Sequence, residues 1–255
     1  MAIRRMSSVY EYVNASLRRD LKEFDHVIYQ SSFSKDQADK HLFRRDYEFS
    51  IIHNGVDTSF LRPRKVAERS NHGIIMVLGS HHEDQLALAL EVFRRVHSQF
   101  SDVELLIVGS MRQRSQSVES VVAEYRKACT LDGKVTCIGQ VHYHSLPEII
   151  TQAHVLLHVK PGDCCPNAVI ESMSCGVPVV SPMWGGTQEI IGDAGITVPG
   201  DRYRINDQLR DGMAEAVLKT LNDQQAFGGR ARERALRYFD RRSIAEKYLS
   251  VMGLI

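Results

Sequence analysis

The sequence contains no apolar run close to the roughly 20 residues that a membrane-spanning helix needs, so we expect a chain that does not cross a bilayer. An excess of charge of either sign is also missing, since 32 Lys and Arg face 31 Asp and Glu for a formal net charge of +1. A nucleic-acid surface would need a large excess of cations, and we therefore expect no nucleic-acid partner. Internal repeats and low-complexity segments are absent as well.

Cysteine usage and motif content exclude further classes of protein. The five cysteines, an odd number in a chain without a recognisable signal peptide, indicate reduced thiols and a cytoplasmic location. A Gly-x-Gly-x-x-Gly run is absent, which argues against a dinucleotide-dependent dehydrogenase. His142 and His144 form a His-x-His pair, but no carboxylate or cysteine stands beside them at a ligand spacing, so we predict no metal site.

What the sequence does contain is typical of a globular α/β protein. Its 255 residues are 43% apolar and 25% charged, enough for one large domain or for one domain and a fragment of another. From His72 onward, short apolar runs alternate with amphipathic helical patterns, as in a doubly wound parallel sheet. The runs predicted as its six strands are GIIMVLGS, DVELLIVGS, KVTCIGQV, VLLHV, VPVVSP and AGITVP. We expect the strand order 3-2-1-4-5-6, followed by two or three helices from Asn206 to Met252.

Residues 155–186 are predicted to form the βαβ unit around which the chain is organised. The run VLLHV stops at Pro161 and Gly162, a helix begins near Asn167 and ends at Gly176, and VPVVSP forms the next strand. The junction between strand and helix lies at the carboxyl edge of a parallel sheet, where open α/β folds bind ligands. Free N–H groups and the positive end of the helix dipole suit a phosphate or a diphosphate there.

Two carboxylates flank this junction, Asp163 in the loop and Glu171 about one turn inside the helix. Because an acidic group repels phosphate, we expect both to accept hydrogen bonds from ligand hydroxyls, as a carboxylate that grips a ribose diol does. Cys164 and Cys165 lie between them at the helix N-terminus, where thiol pKa values usually fall. Packing of these two side chains beneath the loop is favoured over a covalent or redox role.

Asp163, seven residues and Glu171, followed by SMSCGVPVVSP and GGTQEI, resemble the nucleotide-binding half of retaining glycosyltransferases with the two-domain GT-B architecture. The resemblance to these group 1, or family 4-like, enzymes runs from about His26 to about Gly200 and is most specific between Asp163 and Glu189. Most members carry Glu at the position of Asp163. The resemblance implies a Rossmann-like fold and a nucleotide-diphosphate sugar as substrate, with no metal and no further cofactor.

The same resemblance divides the chain. Residues 56–255 would form the donor-binding domain with its C-terminal helices, and residues 1–55 the end of an acceptor-side domain and the interdomain linker. Most of an acceptor-side domain would precede this sequence, so either the chain is truncated or a partner chain supplies the other half. Residues 1–24 have the pattern of a basic amphipathic helix, for which packing against the protein is favoured over a membrane surface.

The resemblance assigns roles to individual residues. Glu171 would hold the ribose and Asp163 would face hydroxyls of the transferred sugar, which makes these two the candidate catalytic residues. The backbone N–H groups of Asn167 and Ala168 would face the diphosphate. The remaining residues of the predicted binding site are Gly79, Ser80, His81, Gly139, Val141 and Lys160. Of these, Gly139 and Val141 would pack against the base through their backbone, although an ordinary strand-to-loop glycine explains the pattern equally well.

The loop after the first strand departs from the family. Members usually carry Arg directly after the strand's Gly and Lys a few residues later, which neutralise the diphosphate. Here Ser80 stands at the Arg position and Gln85 near the Lys position. We expect His81, His82 and Lys160 to donate hydrogen bonds in their place. The alternative is a site that binds its sugar donor but turns over poorly.

Three functions are compatible with these patterns. The leading hypothesis is the donor-binding half of a glycosyltransferase that moves a sugar from a nucleotide-diphosphate sugar to an acceptor with retention. The second is a non-catalytic nucleotide-sugar-binding or regulatory subunit of a partner chain, and a fainter third is a GT-B epimerase or phosphorylase. We expect the protein in the cytoplasm, where the arginine-rich run GGRARERALRYFDRRS forms an ion-paired helix face or contacts an anionic membrane.

Overall fold

The computed structural model describes residues 11, 13–20, 23–42, 48–64, 72–113, 116–129, 131, 133–160, 162–200 and 205–255. Within these ranges the chain forms a two-stranded sheet and a six-stranded sheet, with helices around them. No helix among the described residues is long and apolar enough to cross a membrane.

The small sheet pairs β1 (His26–Tyr29) with β2 (Glu48–Ile51) in parallel, and α1 (Ser32–His41) lies between them in the chain. The strands of the large sheet are β3 (Gly73–His81), β4 (Val103–Met111), β5 (Lys134–Gly139), β6 (Val155–Leu157), β7 (Val179–Pro182) and β8 (Gly195–Val198). The helices that follow in the chain are α2 (Glu83–Gln99), α3 (Val118–Ala128), α4 (Leu146–Gln152), α5 (Asn167–Ser174), α6 (Thr187–Ile191), α7 (Asp207–Asn222), α8 (Gln224–Tyr238) and α9 (Arg241–Val251).

The large sheet has the order β5-β4-β3-β6-β7-β8, and every neighbouring pair is parallel. Numbered within this sheet, the order is 3-2-1-4-5-6, so the predicted doubly wound topology is confirmed. The tail forms three helices, which agrees with the predicted two or three. The order of the strands reverses between β3 and β6, and α/β sheets bind ligands in the crevice outside such a reversal.

Both faces of the large sheet are buried, which explains why its strands are nearly continuous apolar runs. Along β3, Ile75 and Val77 belong to a cluster with α2, α3 and α7, while Met76 and Leu78 belong to a second cluster with α4, α5 and α8. A fully buried side chain such as Phe93 of α2 contributes roughly 1.5–3 kcal/mol relative to an exposed one. The two apolar layers therefore fix the ends of the strands in space.

Three arginines of α8 bind main-chain carbonyls of other segments. The hydrogen bonds are Arg232 Nη1 to Ser174 O (2.6 Å) and Leu61 O (3.0 Å), Arg232 Nη2 to Thr58 O (3.0 Å), Arg234 Nε to Ile190 O (2.7 Å), Arg234 Nη2 to Glu189 O (2.8 Å) and Arg230 Nε to Asp193 O (2.9 Å). Several of these carbonyls end α5 and α6, where free acceptors and the negative end of the dipole favour a cation. The sequence predicted that this arginine-rich run forms an ion-paired face or contacts a membrane, and neither prediction included these internal contacts.

The β1–β2 unit is attached to the large sheet through the GGTQEI motif. Both carboxylate oxygens of Glu189 lie 3.0 Å from the N–H of Ser32, in the first turn of α1, and one lies 2.7 Å from His53 Nε2. Glu189 therefore satisfies a free N–H of a distant helix. The division of the chain at residue 55 stays a prediction.

Part of the predicted N-terminal helix is described. Residues 11 and 13–20 are helical, and the Arg18 side chain donates to the carbonyls of His41 and Leu42 at the end of α1. Of the other positions of that predicted helix, 1–10, 12, 21 and 22 lie outside the described residues, and 23 and 24 do not belong to an α-helix.

The carboxyl ends of β3 and β4 approach each other more closely than side chains allow. Gly79 and Gly109 are partners in the ladder, and their φ angles are +112° and +118°. A Cβ on Gly109 would lie 1.8 Å from the carbonyl oxygen of Gly79. Only glycine fits at position 109, and the edge that it shapes is the one at which the strands open into loops.

Gly109→Ala should lower the free energy of unfolding by at least roughly 2 kcal/mol, because it combines an overlap with a strained backbone conformation. Gly229→Ala is the matched control, since Gly229 lies exposed on α8 and a Cβ there meets no atom within 4 Å. That control should raise the free energy of unfolding by about 0.5–1 kcal/mol. Urea unfolding measures both changes in the free energy of unfolding. An unchanged free energy of unfolding in Gly109→Ala would contradict the close approach of the two strand ends.

Candidate functional site

A cleft follows the carboxyl ends of β3, β4 and β5 toward the start of α5. It contains three adjoining hollows of about 620, 680 and 550 Å³, and Ser80 lines all three. We call them, in that order, the Glu171 hollow, the Gly139 hollow and the Asp163 hollow, after one residue of each lining. Volumes of this size are typical of small-molecule sites, and the cleft occupies the reversal of strand order.

Glu171 is a half-buried carboxylate that faces the Glu171 hollow from the second turn of α5. Burial raises its pKa above the ordinary value of 4.5. Among the described residues, no group donates a hydrogen bond to this carboxylate. A desolvated acid without a protein partner costs stability, so its position indicates a site for a ligand that donates hydrogen bonds.

Asp163 lies on the other side of the helix start and lines the Asp163 hollow. Its Oδ1 accepts from the N–H of Cys165 at 3.2 Å, and its carbonyl accepts from the N–H of Gly186 at 2.8 Å. A Cβ on Gly185 would lie 2.4 Å from the Asp163 carbonyl oxygen, so the Gly-Gly pair of GGTQEI permits the contact that holds this loop. The predicted pair of acids therefore flanks the junction, one acid in each of two adjoining hollows.

The first turn of α5 has free N–H groups, as the sequence predicts. Pro166 at the N-cap supplies no side-chain cap, and among the described residues nothing accepts from the N–H of Asn167 or Ala168. The side chain of Asn167 is already engaged, because its Oδ1 accepts from Asn54 Nδ2 at 2.8 Å. The main-chain N–H groups at this helix start are available to an anion.

Two residues that end β3 differ in their placement. Ser80 faces the cleft, but the ring of His81 is 1% exposed, with Nε2 at 3.0 Å from the Val108 carbonyl oxygen. Burial lowers the pKa of His81, so the ring is neutral and Nε2 is its donor. We expected His81 to donate to a ligand. The strand continues to residue 81, and its alternation turns this side chain inward instead.

The glycine and valine predicted to contact a base lie along the cleft. Val141 lines the Glu171 hollow together with His142, and Gly139 lines the Gly139 hollow. Gly139 has a φ of +65°, and no atom lies within 4 Å of where its Cβ would be. A flat ring can approach the main chain at such a position, and the contact with a base stays a prediction.

No cluster of three or more metal-ligating side chains occurs in the part of the chain that the structure describes. The His-x-His pair is split, because His144 packs edge-on against Phe60, with ring centroids 5.9 Å apart, while His142 lines the Glu171 hollow.

Among the described residues, Lys160 and Arg112 are the Lys and Arg side chains that line the cleft, and both line the Asp163 hollow. Burial and the neighbouring Arg112 lower the pKa of Lys160, while Asp163 acts in the opposite direction. Sequence reasoning identified Lys160 but missed Arg112. The signal for it was available, since Arg112 directly follows the second strand and parallel strands end at the same edge of a sheet.

The surroundings of the two adjacent cysteines favour packing over a reactive role. Cys165 is buried, and its Sγ accepts from the N–H of Asn54 at 3.2 Å. Burial raises the pKa of both thiols, that of Cys165 to about 11. The lowering expected at a helix N-terminus is outweighed by desolvation, which supports the packing role.

The chain matches the family model described as glycosyl transferases group 1 over residues 72–223, more than half of its length. It is similar to one component of human phosphatidylinositol N-acetylglucosaminyltransferase, with 22% identity over 178 residues, 70% of this chain and 36% of that protein. It is also similar to the phosphatidyl-myo-inositol mannosyltransferase of Mycolicibacterium smegmatis, with 30% identity over 198 residues, 73% of this chain and 47% of that protein. The chain thus spans about half or less of the length of these relatives.

Two solved structures illustrate the fold. Sucrose-phosphate synthase from Thermosynechococcus elongatus has a TM-score of 0.76 and 22% identity, over 95% of this chain and 61% of that one. Anabaena HepE in complex with UDP has a TM-score of 0.74 and 15% identity, over 91% of this chain and 64% of that one. At these identities the likeness shows the fold alone, and it confirms the predicted fold of the GT-B donor domain.

Glu171→Gln should make the protein more stable than wild type at neutral pH, with a smaller difference at pH 4. The folded state holds the Glu171 proton above the ordinary pKa of 4.5, so wild-type stability falls as the pH rises from there through the raised pKa. Urea unfolding at several pH values measures the difference.

Glu215→Gln is the control, because it removes an exposed carboxylate of α7. An equal gain in both variants would assign the effect to net charge and contradict the cost of burying Glu171.

Proposed function

Because the chain belongs to the group 1 glycosyl transferases, we propose that it is the donor-binding half of an enzyme that transfers a sugar from a nucleotide-diphosphate sugar with retention. The observation that carries this proposal is Glu171, a desolvated carboxylate that lines a cavity at the reversal of strand order and has no hydrogen-bond partner among the described residues. Ribose hydroxyls are suitable donors for such a group, since they can replace the hydrogen bonds that burial removed.

The three hollows order the parts of the ligand. In our proposal the base lies against Gly139 and Val141, and the ribose lies against Glu171. The diphosphate then faces the free N–H groups that begin α5, and the sugar extends toward Asp163. Ser80, which lines all three hollows, lies where these parts of the ligand would meet.

The acceptor belongs to another part of the assembly in this proposal. The chain spans 36% of the human relative, which is named as one subunit of its enzyme, and the solved GtfA/B structure is a complex. We propose that an acceptor-side domain or a partner chain completes the active site. Two relatives are named for phosphatidylinositol substrates, and a lipid-linked acceptor would place the protein at a membrane surface.

A second candidate function is a nucleotide-sugar-binding subunit without transferase activity of its own. Ser80 and Gln85, which stand where relatives of the resembled family carry cations, favour it, because a leaving diphosphate needs electrostatic stabilisation. Transfer or hydrolysis of a nucleotide sugar by this chain would support the enzyme, and binding without turnover in the presence of acceptor and partner would support the second function.

Substitution of the two acids should separate nucleotide from sugar recognition. Calorimetric titration with UDP, GDP and ADP, and then with their sugar conjugates, identifies the preferred nucleotide of the wild type. Glu171→Ala should weaken binding of that nucleotide by about tenfold or more, since a charge-assisted hydrogen bond contributes roughly 1.5–3 kcal/mol. Asp163→Ala should weaken the sugar conjugate more than the bare nucleotide.

Glu215→Ala, on the exposed side of α7, controls for the loss of a negative charge. Unchanged affinity in Glu171→Ala would remove Glu171 from the site, and equal losses for both ligands in Asp163→Ala would contradict its assignment to the sugar.

A further inference from the structure

The segment that ends β3 and begins α2 has no permanent cation. Its residues 79–85 read GSHHEDQ, in which the only basic side chains are two histidines. One of these, His81, is buried and neutral, as described above. A diphosphate that leaves with its negative charge needs cations or oriented dipoles aimed at it, so the charge has to come from another element.

The two strands beside β3 supply this positive charge. β4 and β6 flank β3 in the sheet, and Arg112 directly follows β4 while Lys160 lies three residues beyond the end of β6. The N–H of Arg112 donates to the His81 carbonyl at 2.8 Å, which fixes the start of the Arg112 side chain at the end of β3. Its Nη1 lies 3.5 Å from His82 Nε2, inside the same hollow.

Lys160 reaches the same place from the opposite side. Its Nζ lies 2.8 Å from the point that a Cβ on Gly79 would occupy, so the side chain crosses over the end of β3 in the space that the glycine leaves. Any larger residue at position 79 would displace this ammonium group. The small residues Gly79 and Ser80 therefore make room for a cation from a neighbouring strand rather than carrying one themselves.

The two cations are not neutralised by direct ion pairs. Among the described residues, neither Arg112 nor Lys160 has a carboxylate oxygen within 4.0 Å, although Asp163 lines the same hollow. Holding two positive charges near each other beside a partly buried cleft costs free energy, which a bound anion of two or more negative charges would recover.

We propose that Arg112 and Lys160 together form the cationic clamp for the diphosphate of the nucleotide sugar, in place of the Arg and Lys of the loop after β3. The inference rests on the proposed function and adds to it a residue, Arg112, that the family pattern does not predict. The clamp faces the phosphates rather than the ribose, because neither side chain lines the Glu171 hollow, whereas Arg112 also lines the Gly139 hollow proposed for the base.

Binding of a nucleoside, its monophosphate and its diphosphate to the full chain tests the clamp. The series uses the base that wild type prefers, and calorimetry measures each dissociation constant. Arg112→Gln and Lys160→Gln should each weaken binding of the diphosphate by about tenfold or more while the nucleoside binds as in wild type. Arg112→Lys, which keeps the charge, should retain most of the diphosphate affinity.

Lys127→Gln is the matched control, since it removes one positive charge from an exposed position on α3. Wild-type diphosphate affinity in both glutamine variants, or an equal loss for nucleoside and diphosphate, would overturn the clamp. A loss in Arg112→Lys as large as in Arg112→Gln would overturn it too. If the clamp is overturned in one of these ways, the proposed function still stands when Glu171→Ala weakens nucleotide binding. A wild-type chain that binds no nucleotide would contradict both the clamp and the proposed function.

Discussion

The parallel ladder between β3 and its two neighbours is the constraint on which the rest of the site depends. Parallel strands end at a common edge, and the reversal of strand order at β3 leaves that edge uncovered between β4 and β6. Gly79 and Gly109 bring the ends of two strands into direct main-chain contact, so side chains from different parts of the sequence meet within one cleft. Every residue assigned to the ligand lies on an element that reaches this edge or in a loop that leaves it.

Helix α5 carries Glu171, on which the proposed function depends, and contacts with other segments fix this helix at both ends. Its last residue, Ser174, accepts from Arg232 of α8, while Asn54 binds the side chain of Asn167 at its start. These contacts position the Glu171 carboxylate despite the cost of burying it. In our proposal this cost is kept because the carboxylate binds ligand hydroxyl groups, and such a trade between stability and function is common in binding sites.

In the proposed clamp, the positive charge that stabilises the diphosphate comes from different sequence positions than in the resembled family. Its location in the cleft matters more than the segment that carries it. In the resembled family the charge belongs to the loop after the first strand. In this chain that loop is short of cations, and Arg112 and Lys160 come from the strands on either side. Because the three strands end together, side chains from any of them can reach the same hollow.

The alternation of strands and helices predicted the strand order only through the topology that doubly wound sheets share. The sequence by itself determined the helix start near Asn167 and the spacing of Asp163 and Glu171, because each depends on a motif within one βαβ unit. It identified Lys160 for the same reason. Only the tertiary structure decided the rest. The strand β3 extends by one residue, so its alternation buries His81. The sheet order places Arg112 and Lys160 in the same hollow, and carbonyls at the ends of two helices bind arginines of α8. These features depend on which strands and helices become neighbours, and a local pattern does not contain that information.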